Sequence, residues 1–326
     1  MNKNIGIIGA GELGSRHLQG VLKVLKEKMT VYVVDPSENS LAIADSRQKE
    51  IEHSHKIIFT QDFSTLPNEL YFVIIATSSK VRKNIIINLL KQSTVKYLVL
   101  EKVLFPYYND YDEIKILLGK SSTTTFVNHP RRMYPSYQFI KEKLLTDKVC
   151  NIQLHGHNWG LACNALHFID IFIYLTDSKL SEISIIGLDK QLFDSKRLGY
   201  TEFSGTLTGK LENGSVFLIS SVNNDTPLAP SISIMNSNEI ISIDEIGIKK
   251  IKKRNRTDVS EEEFDFNILY QSGLSNLILE DLLETGNCKL PDYNTAAETH
   301  KVFISSLLPF YNLLNGDIKN RELPIT

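Results

Sequence analysis

Residues Ile5 to His17 read IGIIGAGELGSRH, a short apolar run that leads into three glycines spaced G-x-G-x-x-G. The spacing acquires meaning from its flanks. Ile5, Ile7 and Ile8 are β-branched and bounded by glycine, the signature of a buried parallel strand. Beyond Gly14, the residues Leu18, Val21, Leu22 and Leu25 recur at helical intervals. TVYVVD then reads as a second strand ending at Asp35, 21 positions after Gly14. Strand, glycine turn, helix, strand and terminal acid make up the dinucleotide-binding βαβ unit. Gly9 allows the tight turn, Gly11 lets the backbone approach a pyrophosphate, and Gly14 lets helix and strand pack closely. The helix N-terminus offers unpaired N–H groups to phosphate. Asp35 is suited to accept hydrogen bonds from an adenosine ribose and to repel a 2′-phosphate, so the expected cofactor is NAD rather than NADP. The competing reading is a βαβ unit whose glycines serve packing alone.

The alternation continues. KIIF (56–59), YFVIIAT (71–77), KYLVLEK (96–102) and TTFVNH (124–129) read as strands. VRKNIIINLLKQ (81–92) and DYDEIKILLG (110–119) read as helices. The pattern predicts an α/β, doubly wound parallel sheet with its crevice at the carboxyl ends of the strands. The character then changes. CNIQLHGHNW reads as a strand and NALHFIDIFIYLTD as a buried helix. GYTEFSGTLTGKLENGSVFLISS reads as a hairpin closed at Glu212-Asn213-Gly214. Two helices, FNILYQSGLSNLILEDLLETG and NTAAETHKVFISSLLPFYNLLN, follow. The expected division is a Rossmann domain over 1–125 and, over 126–326, an α+β domain with a large, mostly antiparallel sheet for substrate binding and oligomerisation.

Composition narrows the classes. A chain of 326 residues suits two domains. A formal net charge of −2 gives no reason to expect nucleic acid or an anionic membrane as partner. The run KKIKKRNR (249–256) is followed by Glu261 to Glu263, which would cancel much of its field, so it reads as a solvated strand and turn. No apolar run approaches the roughly 18 residues that span a bilayer. The opening strand is too short for a signal peptide. Cys150, Cys163 and Cys288 form no metal pattern and suggest a reducing cytoplasm. No metal is expected.

A second set of residues carries reaction chemistry. Glu101 and Lys102 fall at the end of the fifth strand, where the crevice must lie, although a lysine there can also be a surface residue. His167 sits on an apolar helix and is either a proton acceptor or a core histidine. Trp159 is the only tryptophan; a sugar ring could stack on it, with Asn158 and Asn164 as polar anchors, or it belongs to the core. Arg131 and Arg132 could bind an anionic or phosphate-bearing substrate, or could equally be exposed at a helix start.

GAGELGSRH, ATSS after the fourth strand, EK after the fifth, NHPRRMYPSY after the sixth, LHFID in a helix and the closing LPDYNTAAETHKVFISSL occur in this order. In that order the chain resembles, over its whole length, the glucose–fructose oxidoreductase / myo-inositol dehydrogenase (Gfo/Idh/MocA) family. The resemblance implies cofactor contacts at Gly9, Gly11, Glu12, Leu13, Gly14, Asp35, Thr77, Ser78, Glu101 and Lys102. It implies that Lys102 meets the substrate hydroxyl near the nicotinamide and that His167 acts as acid–base; Arg132, Asn158, Trp159, Cys163 and Asn164 are the further residues expected to face the substrate. Three departures stand out. Cys163 occupies the position of an aspartate, Arg82 that of a histidine, and Val103 that of the proline after Glu-Lys.

The expected function is an NAD-dependent oxidoreductase that moves a hydride between a secondary alcohol of a sugar, cyclitol or nucleotide-linked sugar and the nicotinamide. An imidazole is suited to take the alcohol proton. The alternatives are a non-catalytic dinucleotide-binding sensor or regulator and a reductase of imines or double bonds. A homodimer or homotetramer is expected, because VFLISS and SISIM are more apolar than an exposed sheet face.

Overall fold

A computed structural model describes residues 3–326. The chain divides into two compact units. The first comprises the residues up to Phe105, Asn109–Met133 and Leu269–Ala296. The second comprises Pro106–Tyr108, Tyr134–Ile268 and Ala297–Thr326. This division differs from 1–125 and 126–326: the first unit runs on to Met133 and takes back a later segment.

In the first unit, strands β1 (Lys3–Ile8), β2 (Met29–Val34), β3 (Lys56–Thr60), β4 (Glu69–Ile75), β5 (Thr94–Leu100) and β6 (Thr124–Val127) alternate with helices α1 (Glu12–Leu22), α2 (Glu38–Gln48), α3 (Ser79–Gln92) and α4 (Tyr108–Gly119). The six strands pair in the order β3-β2-β1-β4-β5-β6, all parallel. Order reverses between β1 and β4, which creates the crevice into which their carboxyl ends open. Phe72, Val73, Ile74 and Ile75 on β4 are fully buried, as a central parallel strand requires. Burial of side chains of this size contributes on the order of 1.5–3 kcal/mol each. Leu25, read as part of the first helix face, lies beyond α1 and is exposed.

The second unit holds short helix α5 (Pro135–Phe139), β7 (Asn151–His157), α6 (Leu161–Thr176), β8 (Leu180–Leu188), β9 (Phe193–Asp194), β10 (Thr201–Glu202), β11 (Gly205–Leu211), β12 (Val216–Val222), β13 (Leu228–Met235), β14 (Glu239–Asp244), β15 (Lys250–Asn255) and β16 (Glu261–Asp265). An eight-stranded sheet runs β16-β15-β14-β13-β7-β12-β11-β8. Its pairs are antiparallel except β7–β12. The hairpin read from the sequence is β11–β12, closed at Asn213-Gly214.

Alternation along the strands sorts this sheet's two faces. Phe217, Ile219, Ile232 and Ile234 are buried, and Phe172 of α6 meets Phe217. Val216, Leu218 and Val222 of β12 lie on the other, exposed face with Ser231 of β13. SISIM therefore turns its isoleucines inward and presents serine outward, so its apolar content is core. The basic run forms β15, whose Lys250, Lys252 and Arg254 pair with Glu263, Asp265 and Glu261 on β16.

Two helices close the chain, α7 (Ser275–Glu284) and α8 (Tyr293–Asn315). The long helix expected from Phe266 is shorter: Gln271–Gly273 is a 3₁₀ turn and α7 begins only at Ser275. In the first unit α7 packs on α1. No helix among the described residues is long and apolar enough to cross a membrane.

Candidate active site

The first unit builds the glycine turn as its spacing demands. Gly9 has φ +93°, a conformation that disfavours side chains. A Cβ on Gly14 would lie 1.8 Å from Gly9 O, so only glycine fits there. A Cβ on Gly11 would meet nothing within 4 Å, which leaves open space over the turn. Helix α1 starts at Glu12 with no side-chain cap, and α3 starts at Ser79 with Ser78 at its N-cap and again no side-chain cap. In α1 the first-turn N–H groups are thus left for another acceptor. Thr77 Oγ1 and Asn128 Oδ1 are buried without a hydrogen-bond partner among the described residues. These features fit a bound dinucleotide.

Asp35 is tied to the turn it was expected to complement. Its Oδ2 accepts the Ala10 N–H at 2.7 Å and its Oδ1 the Ser37 N–H at 2.8 Å. Each oxygen keeps a lone pair for a ribose hydroxyl. Glu12 points its carboxylate at Arg47, whose Nη2 donates to both oxygens at 2.8 and 2.6 Å. The Arg47 hydrogen bond is the main influence that holds the exposed Glu12 carboxyl below its ordinary pKa. Leu13 stands exposed beside it.

Two buried devices brace the strand ends. Arg82 on α3 is almost fully buried. Its guanidinium donates to the carbonyls of Thr77 and Val103, and to Leu104 O at 3.0 Å. One cation therefore ties the loop after β4 to the loop after β5. The peptide between Lys102 and Val103 is cis. Glu101 faces inward: it is 4% exposed, accepts from His17 Nε2 at 2.7 Å and from Asn128 Nδ2 at 2.6 Å. His17 Nδ1 accepts from Ser275 Oγ at 2.8 Å and from the Gln271 amide at 3.1 Å. Burial alone would raise the Glu101 pKa. The hydrogen bonds from His17 and Asn128 and the nearby Arg82 cation outweigh it, so the carboxyl stays below its usual value. Glu101 thus braces the crevice from within, beside half-buried Lys102.

Lys102 and Arg132 also act on His129. Burial first, then the Arg132 and Lys102 cations, pushes its pKa down to about 3, so this histidine is neutral. Arg131 and Arg132 sit on the 3₁₀ turn Pro130–Met133, half-buried.

In the second unit, Asn158, Trp159, Cys163 and Asn164 line one cavity of about 350 Å³. Their polar groups are largely engaged. Trp159 Nε1 donates to Ser220 O at 2.9 Å, Asn164 Nδ2 to Trp159 O at 2.8 Å, and Asn158 exchanges hydrogen bonds with the backbone of Asn224. Through these bonds the two asparagines also brace loops. The sequence reading missed Asp194, Lys196 and Glu202 on the cavity wall. Glu202 accepts the Ala162 N–H at 2.8 Å and the Cys163 N–H at 3.1 Å, and so caps α6 from β10. Gly160, at φ +79°, allows this: a Cβ there would approach Glu202 Oε1 to 3.3 Å. His167 lies half-buried in the second turn of α6. Among the described residues no cluster of histidine, cysteine and carboxylate could hold a metal, and the three cysteines are unbridged.

Comparison with known proteins agrees with this geometry. Residues 3–129 match the GFO/IDH/MocA oxidoreductase family, NAD-binding Rossmann fold. No curated protein sequence matches. Several solved structures share the fold. UDP-N-acetylglucosamine 3-dehydrogenase GnnA from Acidithiobacillus ferrooxidans aligns at 14% identity and TM-score 0.70, over 96% of this chain and 99% of that one. Scyllo-inositol dehydrogenase from Lactobacillus casei, solved with NAD(H) and scyllo-inositol, aligns at 14% identity and TM-score 0.70, over 97% and 98%. A super-repressor mutant of Gal80p from Saccharomyces cerevisiae aligns at 14% identity and TM-score 0.70, over 96% and 99%.

Proposed function

We propose a reaction for this chain from the premise that it belongs, through its N-terminal domain, to the Gfo/Idh/MocA oxidoreductase family. The reaction is NAD-dependent oxidation of a secondary alcohol on a sugar, cyclitol or nucleotide-linked sugar, or its reverse. The observation that carries it is Lys102: a cation at the carboxyl end of β5, held between the Glu101 network and the carbonyls clamped by Arg82.

Bound NAD supplies the hydride acceptor. Gly9, Gly11, Gly14, Thr77 and Ser78 hold its phosphates and Asp35 its ribose. Lys102 hydrogen-bonds the alcohol oxygen and stabilises negative charge as the carbon–hydrogen bond breaks. His167 takes the hydroxyl proton. The substrate class rests on the sugar-nucleotide and inositol dehydrogenases that share the fold. The test is reduced-cofactor absorbance during incubation with NAD and a panel of neutral sugars, cyclitols and sugar nucleotides. Turnover of at least one supports the reading, and no turnover with any member of the panel contradicts it.

A second reading is a dinucleotide-binding regulator that does not turn over. The fold shared with Gal80p favours it, as does Cys163, a thiol where the family resemblance implies a carboxylate. NAD binding without turnover is its expected result.

A further inference from the structure

The cavity of the second unit is lined by charged groups of its own. The N-terminus of α6 opens at this cavity, and a helix N-terminus with free N–H groups attracts anions. Here that position is taken. The Glu202 carboxylate, delivered from β10, accepts two of the first N–H groups of α6, at 2.8 and 3.1 Å. Asp194 adds a second carboxylate to the lining, and Lys196 is the one cation among the lining residues. The remaining wall is neutral: the half-buried Trp159 ring, the Cys163 thiol, and asparagine and serine groups.

We infer that this cavity selects an uncharged or ammonium-bearing polyhydroxylated ring and rejects one carrying a carboxylate or phosphate, with Glu202 as the specificity-determining residue. The inference rests on the proposed sugar or cyclitol substrate and narrows it. An acid or phosphate entering the cavity would meet a helix terminus already neutralised and would lie against two carboxylates for one ammonium. A hydroxyl can donate to either carboxylate, and an ammonium gains from both. The flat Trp159 ring offers the apolar face of a saturated ring a surface to stack on.

Calorimetry on the full chain with saturating NADH measures this without turnover. The probes are myo-inositol, glucosamine, gluconate and glucose 6-phosphate. The expected result is binding of the first two, with the anionic pair at least about tenfold weaker, a difference of the size a partly screened like-charge contact gives. Glu202→Gln keeps an acceptor oxygen for one of the two helix N–H groups and removes the charge. It should narrow the ratio of neutral to anionic affinity several-fold, whereas loss of a merely structural cap would weaken all four probes alike. Raised salt should narrow the ratio in the unaltered protein and less so in Glu202→Gln. Anionic probes that bind as tightly as neutral ones, or no binding by any probe, overturn the inference. Selective binding without NAD turnover would instead leave the selectivity standing and remove the dehydrogenase reading.

Discussion

His17 donates through Nε2 to Glu101 at 2.7 Å, with both residues sealed from solvent and Asn128 completing the carboxylate's coordination. The pair links the helix after the glycine turn to the end of β5.

The pair predicts a pH signature of stability. The folded pKa of Glu101 lies below its unfolded value, so its contribution to stability is fully present above the ordinary glutamate pKa of 4.5 and is lost as pH falls below it. Urea unfolding from neutral pH down to the acid range should show that loss, and Glu101→Gln should flatten it. His17→Ala should cost about 3–5 kcal/mol at neutral pH, because it strands a buried carboxylate. A variant within about 0.5 kcal/mol of the parent would show that the pair bears no such load.

NAD should bind more tightly than NADP, because Asp35 would face a 2′-phosphate. Asp35→Ala should narrow the gap. It should also weaken NAD itself, because the same carboxylate holds the N–H groups of Ala10 and Ser37. Calorimetry that finds equal or tighter NADP binding by the parent chain would contradict this.

These two sites differ in how legible they were. Asp35 could be read because its relation to the glycines is local and the βαβ unit fixes it. The burial of Glu101 could not, since His17, Asn128 and the Gln271–Ser275 segment come from three separate stretches. Arg82 reads as an ordinary basic residue on a helix until the fold brings the carbonyls of residues 103 and 104 against it. Glu202 lies 40 positions beyond Ala162, whose N–H it caps, in a two-residue strand too short to leave a pattern. The overlong helix from Phe266 failed for a related reason: helical spacing was present, but Gln271 and Ser275 answer to His17, and a 3₁₀ turn at Gln271–Gly273 precedes α7.

The open face of the eight-stranded sheet should bind a second copy of the chain. Val216, Leu218 and Val222 of β12, together with Leu228 of β13 and the nearly fully exposed Ile186 of β8, leave apolar surface exposed among the described residues. Light scattering at micromolar concentration should report a multiple of 37.0 kDa. Leu218→Lys should shift the population towards the single chain. A parent protein that scatters as one chain would contradict the expectation.

The most direct test of the account is the turnover of Lys102→Ala with NAD and the best substrate of the panel. Lys102 is proposed to act on the alcohol oxygen, while Asp35, Thr77 and the glycine turn are proposed to hold the cofactor. Its removal should therefore lower kcat by on the order of 10²–10⁴, the range of a lost acid–base or polarising group, with NAD affinity by calorimetry unchanged within a few-fold. A Lys102→Ala protein that turns over at the parent's rate would contradict the assignment of the reacting centre to the end of β5.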